Sequence, residues 1–578
     1  MPTALLRVSL LGAIVSLLAF GGHAAVRESP LPAWIRRHAQ PIETCAPRED
    51  AHDLAGLRRI VGASRIVALG DGTLGTREFF QLKHRIIDYL ATEMGFTTVA
   101  IDANLPEAWK LNDYVVDGRG DPKTLIGGMY LWNWNTEELL AFVEWARAFN
   151  ASGRGRIRFA GFGMIKPGVP GTIVGDFVSR VDSAWADSAR AMLAAIQKAR
   201  STGGEAVVST GSFPVKEAAA HRVRFSGWIR TEEVRGFAGL WWRADVGTAY
   251  VAFDNMQGQN VNGTRDWRRY EIALDVPPNV DKINFGMMLV GTGRAWFDSL
   301  AIEIDGHPWS RPDQFDLAME SPAGPIGFGR ESGLGYRIAM DDSAAKVGRL
   351  SLCLASLATG RPDPAPLWAD AEARAERMVR RFETERVHWA RKAGPEETDW
   401  AERNAHLLLQ RARYGVDSRE AVHDSCKAAN VEWILRRVPK GSKIVLWAHN
   451  QSLARTPGSL GDRLTRRFGK DAVVFGFATQ EGQYLAFRDR VQANELVPGP
   501  AGSIESLAAA SGVPAFLLDL RPARGDRNVT SQLANGLRMR SIGAAATDDQ
   551  FSPVSLTRDF DALVFVQKTA ATTPLGKH

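Results

Sequence analysis

Three cysteines in 578 residues leave disulfides almost no part in holding this chain together. Cys45, Cys353 and Cys426 allow at most one intramolecular bridge, and their spacing does not say which pair would form it. Paired-cysteine spacings and H-E-x-x-H are both missing, so the common zinc signatures are absent. G-x-S-x-G is missing too, which excludes the usual serine elbow of an α/β-hydrolase. After the first 20 residues no apolar run approaches the ~20 residues that cross a bilayer, so no membrane span is expected. Positive charge is not concentrated either. The net +6 is dispersed, with basic pieces no longer than Arg463–Arg467, and no nucleic-acid partner is expected.

What is present begins with an export pattern. Arg7 precedes the apolar stretch Val8–Phe20, and Gly22-His23-Ala24 or the following Ala25 offers a small-residue exit. The expectation is a cleaved signal over residues 1–24 and a periplasmic or secreted mature protein. With 45% apolar residues the remainder can fill two or three cores. An extension over 25–60 leads into residues 61–202, where strand and helix patterns alternate. From 203 to 358 the texture becomes short aromatic or alternating runs cut by Gly, Asn, Asp and Pro, such as Val223–Arg230, Gly239–Arg243, Ile283–Leu289 and Ala295–Ile304. That predicts an inserted antiparallel β-sandwich. Helices return at Pro366, and 359–578 completes the host with a helical lobe over 366–437 and further strands. The fold class expected is α/β: a mostly parallel sheet flanked by helices, a helical lobe, and the inserted sandwich.

Four apolar runs locate a site. Ile66–Gly70 runs into Asp71, Thr98–Ile101 into Asp102, Lys443–Ala448 into His449-Asn450, and Arg156–Ala160 into Gly161-Phe162-Gly163. Parallel sheets bind ligands at the carboxyl ends of their strands, so Asp71, Asp102 and His449 are expected to face one cleft. The helix after Asp71 places Phe79, Leu82, Lys83, Ile86, Ile87 and Leu90 on one face, with Lys83 the single charge on it. Gly70-Asp71-Gly72-Thr73-Leu74-Gly75 fits G-x-G-x-x-G, a dinucleotide fingerprint. Three features oppose that reading: an exported protein meets little NAD, Asp102 lies 27 residues past Gly75, and Asp71 would set a carboxylate beside a pyrophosphate. Trp228, Trp241, Trp242, Trp267 and Trp296 of the insert suit either sugar stacking or packing, and packing is the commoner use.

Gly70 through Phe80, Lys83-His84-Arg85, Ala100–Asn104, Pro106-Glu107-Ala108, Asn112–Val115, Trp132–Glu137, Trp447–Ser452 and Phe560–Phe565 together resemble the erythromycin esterase family. The insert is similar to the carbohydrate-binding-like module of some members, in permuted order, since Gly335–Ser356 matches that module's leading strands. The resemblance implies hydrolysis of a small-molecule ester or lactone by water, without metal or cofactor, with carbohydrate as a second partner at the insert. It also implies that a first-block histidine activates the water. Here that position is Leu74. The accompanying glutamates become Asp71 and Asp102, an expected acid is Gly163, a second-block histidine is Ser452, and a helical arginine is Lys83. Leucine cannot carry a proton. The expectation is therefore a weakened hydrolase in which His449 is the base, Asp71 and Asp102 orient it or the water, and Glu78 and Lys83 assist. Lys83 would serve a developing oxyanion if it points inward. The alternative is a ligand-binding protein on the same scaffold that no longer cleaves.

Overall fold

The computed structural model describes residues 30–575 except 49, 130, 202–204, 210–212, 247–248, 257–258, 333–335, 358–364, 489–490 and 535. The expected export signal lies outside the described residues. The host sheet contains six parallel strands, in chain order β1 (Ile66–Leu69), β2 (Phe96–Asn104), β3 (Arg158–Gly163), β4 (Lys443–Trp447), β5 (Ala472–Phe487) and β6 (Ala562–Thr569). Across the sheet they run β6-β5-β1-β4-β2-β3, every neighbouring pair parallel. Ala515–Asp519 and then Gln40–Pro41 extend the β6 edge antiparallel. The sheet is thus mostly parallel and flanked by helices.

Period-two alternation divides the strands between two cores. Val67, Leu69, Val99, Ile101, Val445 and Trp447 face one side, where α1 (Arg77–Met94) covers them with Phe79, Leu82, Ile86 and Leu90. The α1 stripe is the one its sequence spacing gives, and Gly95 closes it in the left-handed conformation at φ 70°. Ile66, Ala68, Ala100, Ile444 and Leu446 face the other side, against Val431 and Ile434 of α2 (Glu420–Arg437). The helical lobe has its own core of Phe177, Met378, Phe382, Trp389, Ala405 and Leu408. It combines Ala365–Ala393 and Pro395–Val416 with Gly168–Val181 and Ala186–Ser201. The lobe therefore draws on both sides of the insert, while α2, grouped with it in the sequence reading, covers the sheet instead.

Between residues 205 and 356 the strands are antiparallel and close on a separate core that includes Phe225, Ile229, Leu240, Trp242, Phe285, Ile302 and Leu352. The separate runs expected at Val223–Arg230 and Gly239–Arg243 belong to one strand, Arg222–Val246, and those at Ile283–Leu289 and Ala295–Ile304 to another, Lys282–Ile304. Gly236 (φ 127°) and Gly291 (φ 91°) oppose each other in the ladder between them. A Cβ at Gly236 would lie 2.1 Å from the Val290 carbonyl oxygen, so only glycine passes there. The turn signals read from sequence are a bend within paired strands. Trp241, Trp242 and Trp296 are buried, Trp296 lies between Arg230 and Arg294, and Lys346 sits over the Trp228 ring.

The three cysteines are free. Burial pushes the Cys45 and Cys353 thiols up to about 12, which makes them poor nucleophiles.

Candidate active site

Strands β1, β4 and β2 are consecutive in the sheet, and Asp71, His449 and Asp102 stand at or just beyond their carboxyl ends. Parallel pairing thus delivers all three to one edge. Each then makes different local commitments.

Asp71 is 2% exposed, and Lys83 from α1 is fully buried against it. The Lys83 ammonium donates to Oδ1 of Asp71, while Trp447 Nε1 donates to Oδ2 at 3.0 Å. Lys83 Nζ also lies over the rings of Trp447 and Phe477, at 4.7 and 4.8 Å. Lys83 therefore points inward, as an oxyanion role would require, but its charge is matched by Asp71. Burial raises the Asp71 carboxyl to about 6 despite this partner and lowers the Lys83 ammonium to about 8. Near neutrality both are mainly ionised.

The loop carrying Asp71 is glycine-rich for packing reasons. A Cβ on Gly70 would fall 2.0 Å from Asn450 Oδ1. Asn450 fills that space because its side chain imitates a strand: Nδ2 donates to the Phe477 carbonyl at 2.8 Å and Oδ1 accepts from the Phe477 N–H at 3.1 Å. Its own N–H donates to the Asp71 carbonyl at 2.8 Å. The G-x-G pattern is thus accounted for without a nucleotide.

His449 caps the short helix Asn450–Leu453, its Nδ1 accepting from the Gln451 N–H at 3.2 Å. That partner assigns the hydrogen of the neutral ring to Nε2. The residue keeps partial exposure, but Nε2 is shut off from solvent and has no hydrogen-bond partner among the described residues. Burial pushes the imidazole down to about 4, although the Gly72 and Ile542 carbonyls lie near enough to favour its protonated form. Lys427 and Lys83 oppose protonation further. At neutral pH the ring is an uncharged N–H donor. To act as a base it must give up the Gln451 N–H or change tautomer.

Asp102 occupies an irregular stretch of β2, where the pairing with β3 shifts between Ile101 and Asn104. Such a bulge re-aims a side chain. Its Oδ2 accepts from Lys427 Nζ at 2.9 Å, and the same ammonium is 3.5 Å from Asp424 Oδ1. Asp424 also accepts from the Ser452 hydroxyl at 2.6 Å and from the Leu460 N–H at 3.1 Å. Sequence reading overlooked His423, Asp424 and Lys427. The available signal was one turn of polar side chains on the sheet-facing side of α2, just ahead of the strand that ends at His449. Among the described residues neither Asp71 nor Asp102 hydrogen-bonds His449. The carboxylate-to-imidazole contacts expected from sequence are replaced by carboxylate-to-lysine pairs. Glu420, His423 and Asp424 bring ligand-type atoms within 4.8 Å of one another, but the Lys427 charge beside Asp424 opposes a cation there.

Glu78 accepts from the Ala570 N–H at 2.8 Å, fastening the start of α1 to the end of β6. Glu107, 3% exposed, accepts from Asn104 Nδ2 at 3.3 Å, and burial raises its carboxyl to about 7. It is a titratable group that the sequence reading passed over. Gly163 leaves no room for an acid, since a Cβ would meet the Ala103 carbonyl oxygen at 2.9 Å. A hollow of about 770 Å³ between Pro106, Trp109, Ile173, Pro395, Trp400 and Arg437 touches none of Asp71, Asp102 or His449.

Known proteins share this framework. An uncharacterized HTH-type transcriptional regulator of Bacillus subtilis, YbfP, is 39% identical over 101 residues, which are 17% of this chain and 34% of that protein. Erythromycin esterase type II of Escherichia coli is 29% identical over 135 residues, 23% of this chain and 32% of that one. The chain thus spans about a third of the length of the curated relatives it matches. A solved structure of an erythromycin esterase mutant, EreC, in its open conformation superposes with a TM-score of 0.51 at 12% identity, covering 92% of this chain and 97% of that one. The erythromycin esterase family model matches residues 91–230 and 337–569, on either side of most of the antiparallel module. By that match over more than half its length, the chain belongs to the erythromycin esterase family.

Proposed function

We propose that this protein is an exported hydrolase that cleaves a small-molecule ester or lactone with activated water and without a metal, at a rate reduced by leucine at position 74. The observation that carries the reading is the convergence of Asp71, His449 and Asp102 on adjacent carboxyl ends of one parallel sheet, within a hydrolase family. Export rests on the charged, apolar and small-residue order of the first 25 residues.

In this reading the ester carbonyl binds at the edge between β1 and β4. Nε2–H of His449 is sealed and must first be uncovered by a shift of the residues over it; it then donates to the carbonyl oxygen as a neutral group, a use of imidazole that its lowered proton affinity favours. Proton abstraction from water then falls to a displaced His449 tautomer or to Asp102, the more exposed of the two acids. The loss of a dedicated base removes roughly 10²–10⁴ in rate.

A second reading has its own support. Nε2 of His449 is sealed, and both carboxylates are held by buried lysines, which suits a pocket that binds an ester without cleaving it. The test is turnover of an ester and lactone panel by the mature protein and by His449→Ala, with calorimetry on the same compounds. Turnover lost with the imidazole supports hydrolysis. Binding without turnover supports the second reading, and turnover undiminished in the variant refutes the role given to His449.

A further inference from the structure

The opposite edge of the host sheet carries a second feature that the hydrolase reading does not use. Where β1, β5 and β6 begin, a hollow of about 530 Å³ is lined by Ser64, Arg455, Lys470, Arg521, Arg524, Arg558 and other residues, with Asp561 the carboxylate in its wall. Parallel strands place this hollow at their amino ends, a full strand length from His449. Five cationic side chains meet there.

The carboxylates within ion-pair distance do not balance them. Arg521 is paired with Asp519, Arg558 with Asp559, and Arg455 with Asp561. Asp561 also accepts from the Val474 N–H at 3.0 Å, so it is fixed in the wall. Arg524 reaches that same carboxylate only at 3.4 Å, and it spends Nε and Nη2 on the Thr557 carbonyl at 3.1 and 2.8 Å. Lys470 stands exposed at the rim, joined to its surroundings through its carbonyl, which accepts from Ser64. Two positive charges, on Arg524 and Lys470, thus exceed the three acids. Arg59 beside Asp519 adds a third within the same network.

We propose that this hollow is a binding site for a small phosphate-type dianion, with Arg524 and Lys470 as its principal contacts. With Nε and Nη2 of Arg524 committed to Thr557 and Asp561, its Nη1 is the group left to donate to the anion, and the Lys470 ammonium supplies a point charge at the rim. Arg455 and Arg558 keep their own carboxylates and set the electrostatic field around the anion. A free phosphate or phosphomonoester and a lipid headgroup share this chemistry. The site is independent of whether the opposite edge cleaves esters.

The test is isothermal titration of the mature protein with inorganic phosphate at constant ionic strength, in parallel with flotation on vesicles containing phosphatidic acid, whose headgroup is a phosphomonoester. Saturable phosphate binding that weakens at least about tenfold in Arg524→Ala and in Lys470→Glu is expected, a difference of about 1.4 kcal/mol. Lys470→Glu is the safeguard against misfolding, since that side chain is exposed. Vesicle flotation that both variants abolish would identify the headgroup as the source of the anion, and phosphate binding without flotation the free ion. No saturable heat up to roughly 10 mM phosphate together with no flotation, or binding unaffected by either variant, overturns the proposal.

Discussion

Replacing Lys83 by methionine isolates what the buried ion pair at the cleft does. The sulfur takes the place of the ammonium over the Trp447 and Phe477 rings, so volume and aromatic contact are largely kept. What disappears is the charge opposite Asp71, whose remaining contact is the Trp447 N–H at 3.0 Å. An uncompensated buried carboxylate costs about 3–5 kcal/mol, unless it takes up a proton. That escape makes the effect depend on pH. A carboxyl raised in the folded state has its stabilising contribution in full below its unfolded value and loses it as pH rises through the folded one. In the parent chain this loss fades out just above the folded Asp71 value of about 6, and Lys83 is half deprotonated at about 8. In the variant the Asp71 carboxyl rises further, so the loss continues. Between those limits the gap between parent and variant should widen by up to about 1.4 kcal/mol per pH unit. Urea unfolding of the α/β host at pH 5.5, 6.5, 7.5 and 8.5 measures it. Asp71→Asn combined with Lys83→Met should recover most of the loss and flatten the profile. A deficit that does not change with pH, or one under about 1 kcal/mol at pH 8, would refute the reasoning.

Other substitutions and conditions probe the rest of the edge. Lys427→Met leaves Asp102 and Asp424 facing each other without a cation and should destabilise the host by about 3 kcal/mol in chemical denaturation. Asn450→Ala frees the Phe477 N–H and carbonyl from both of their side-chain partners, and a loss of about 2–4 kcal/mol in the thermal or urea transition is expected. Because burial holds the His449 imidazole at about 4, any turnover should show no histidine limb near its ordinary value. A rate that falls with an inflection near 6.5, and loses that inflection in His449→Ala, would show instead that the ring is open to water.

Much of this was legible in the sequence, for physical reasons that can be named. Strand ends were visible because apolar runs stop at a polar residue where the sheet stops, and parallel order follows once helices alternate with strands. The α1 stripe was visible because one turn of helix repeats its buried face. The antiparallel strands after residue 203 announce themselves as a change of texture, but their length does not, since a glycine pair that bends two partnered strands reads like a turn. The ion pairs were the hardest part. Lys83 showed as a lone charge on an apolar face, which announces a buried partner without naming it. Lys427 gave no such signal, because α2 is polar along much of its length and only its docking on the sheet decides which charges are buried.

The two lysines also bear on the kind of ligand the cleft would take. Asp71 is met by Lys83, and Asp102 by Lys427, which Asp424 shares, so neither Asp71 nor Asp102 is left unpaired to attract a cation. The exchange has a cost, because a buried ion pair gives up hydration on both partners and is weak evidence for stability by itself. Apolar residues of similar volume would have filled the same space with less penalty. The charges instead fix positions: Asp71 holds the Trp447 indole, and Lys427 ties β2 to α2 through Asp102 and Asp424. A cleft built this way favours an uncharged ester or lactone over an ionic substrate. In the proposed assay neutral esters should therefore bind more tightly than cationic analogues of the same size, and the reverse order would show that one of the acids is free.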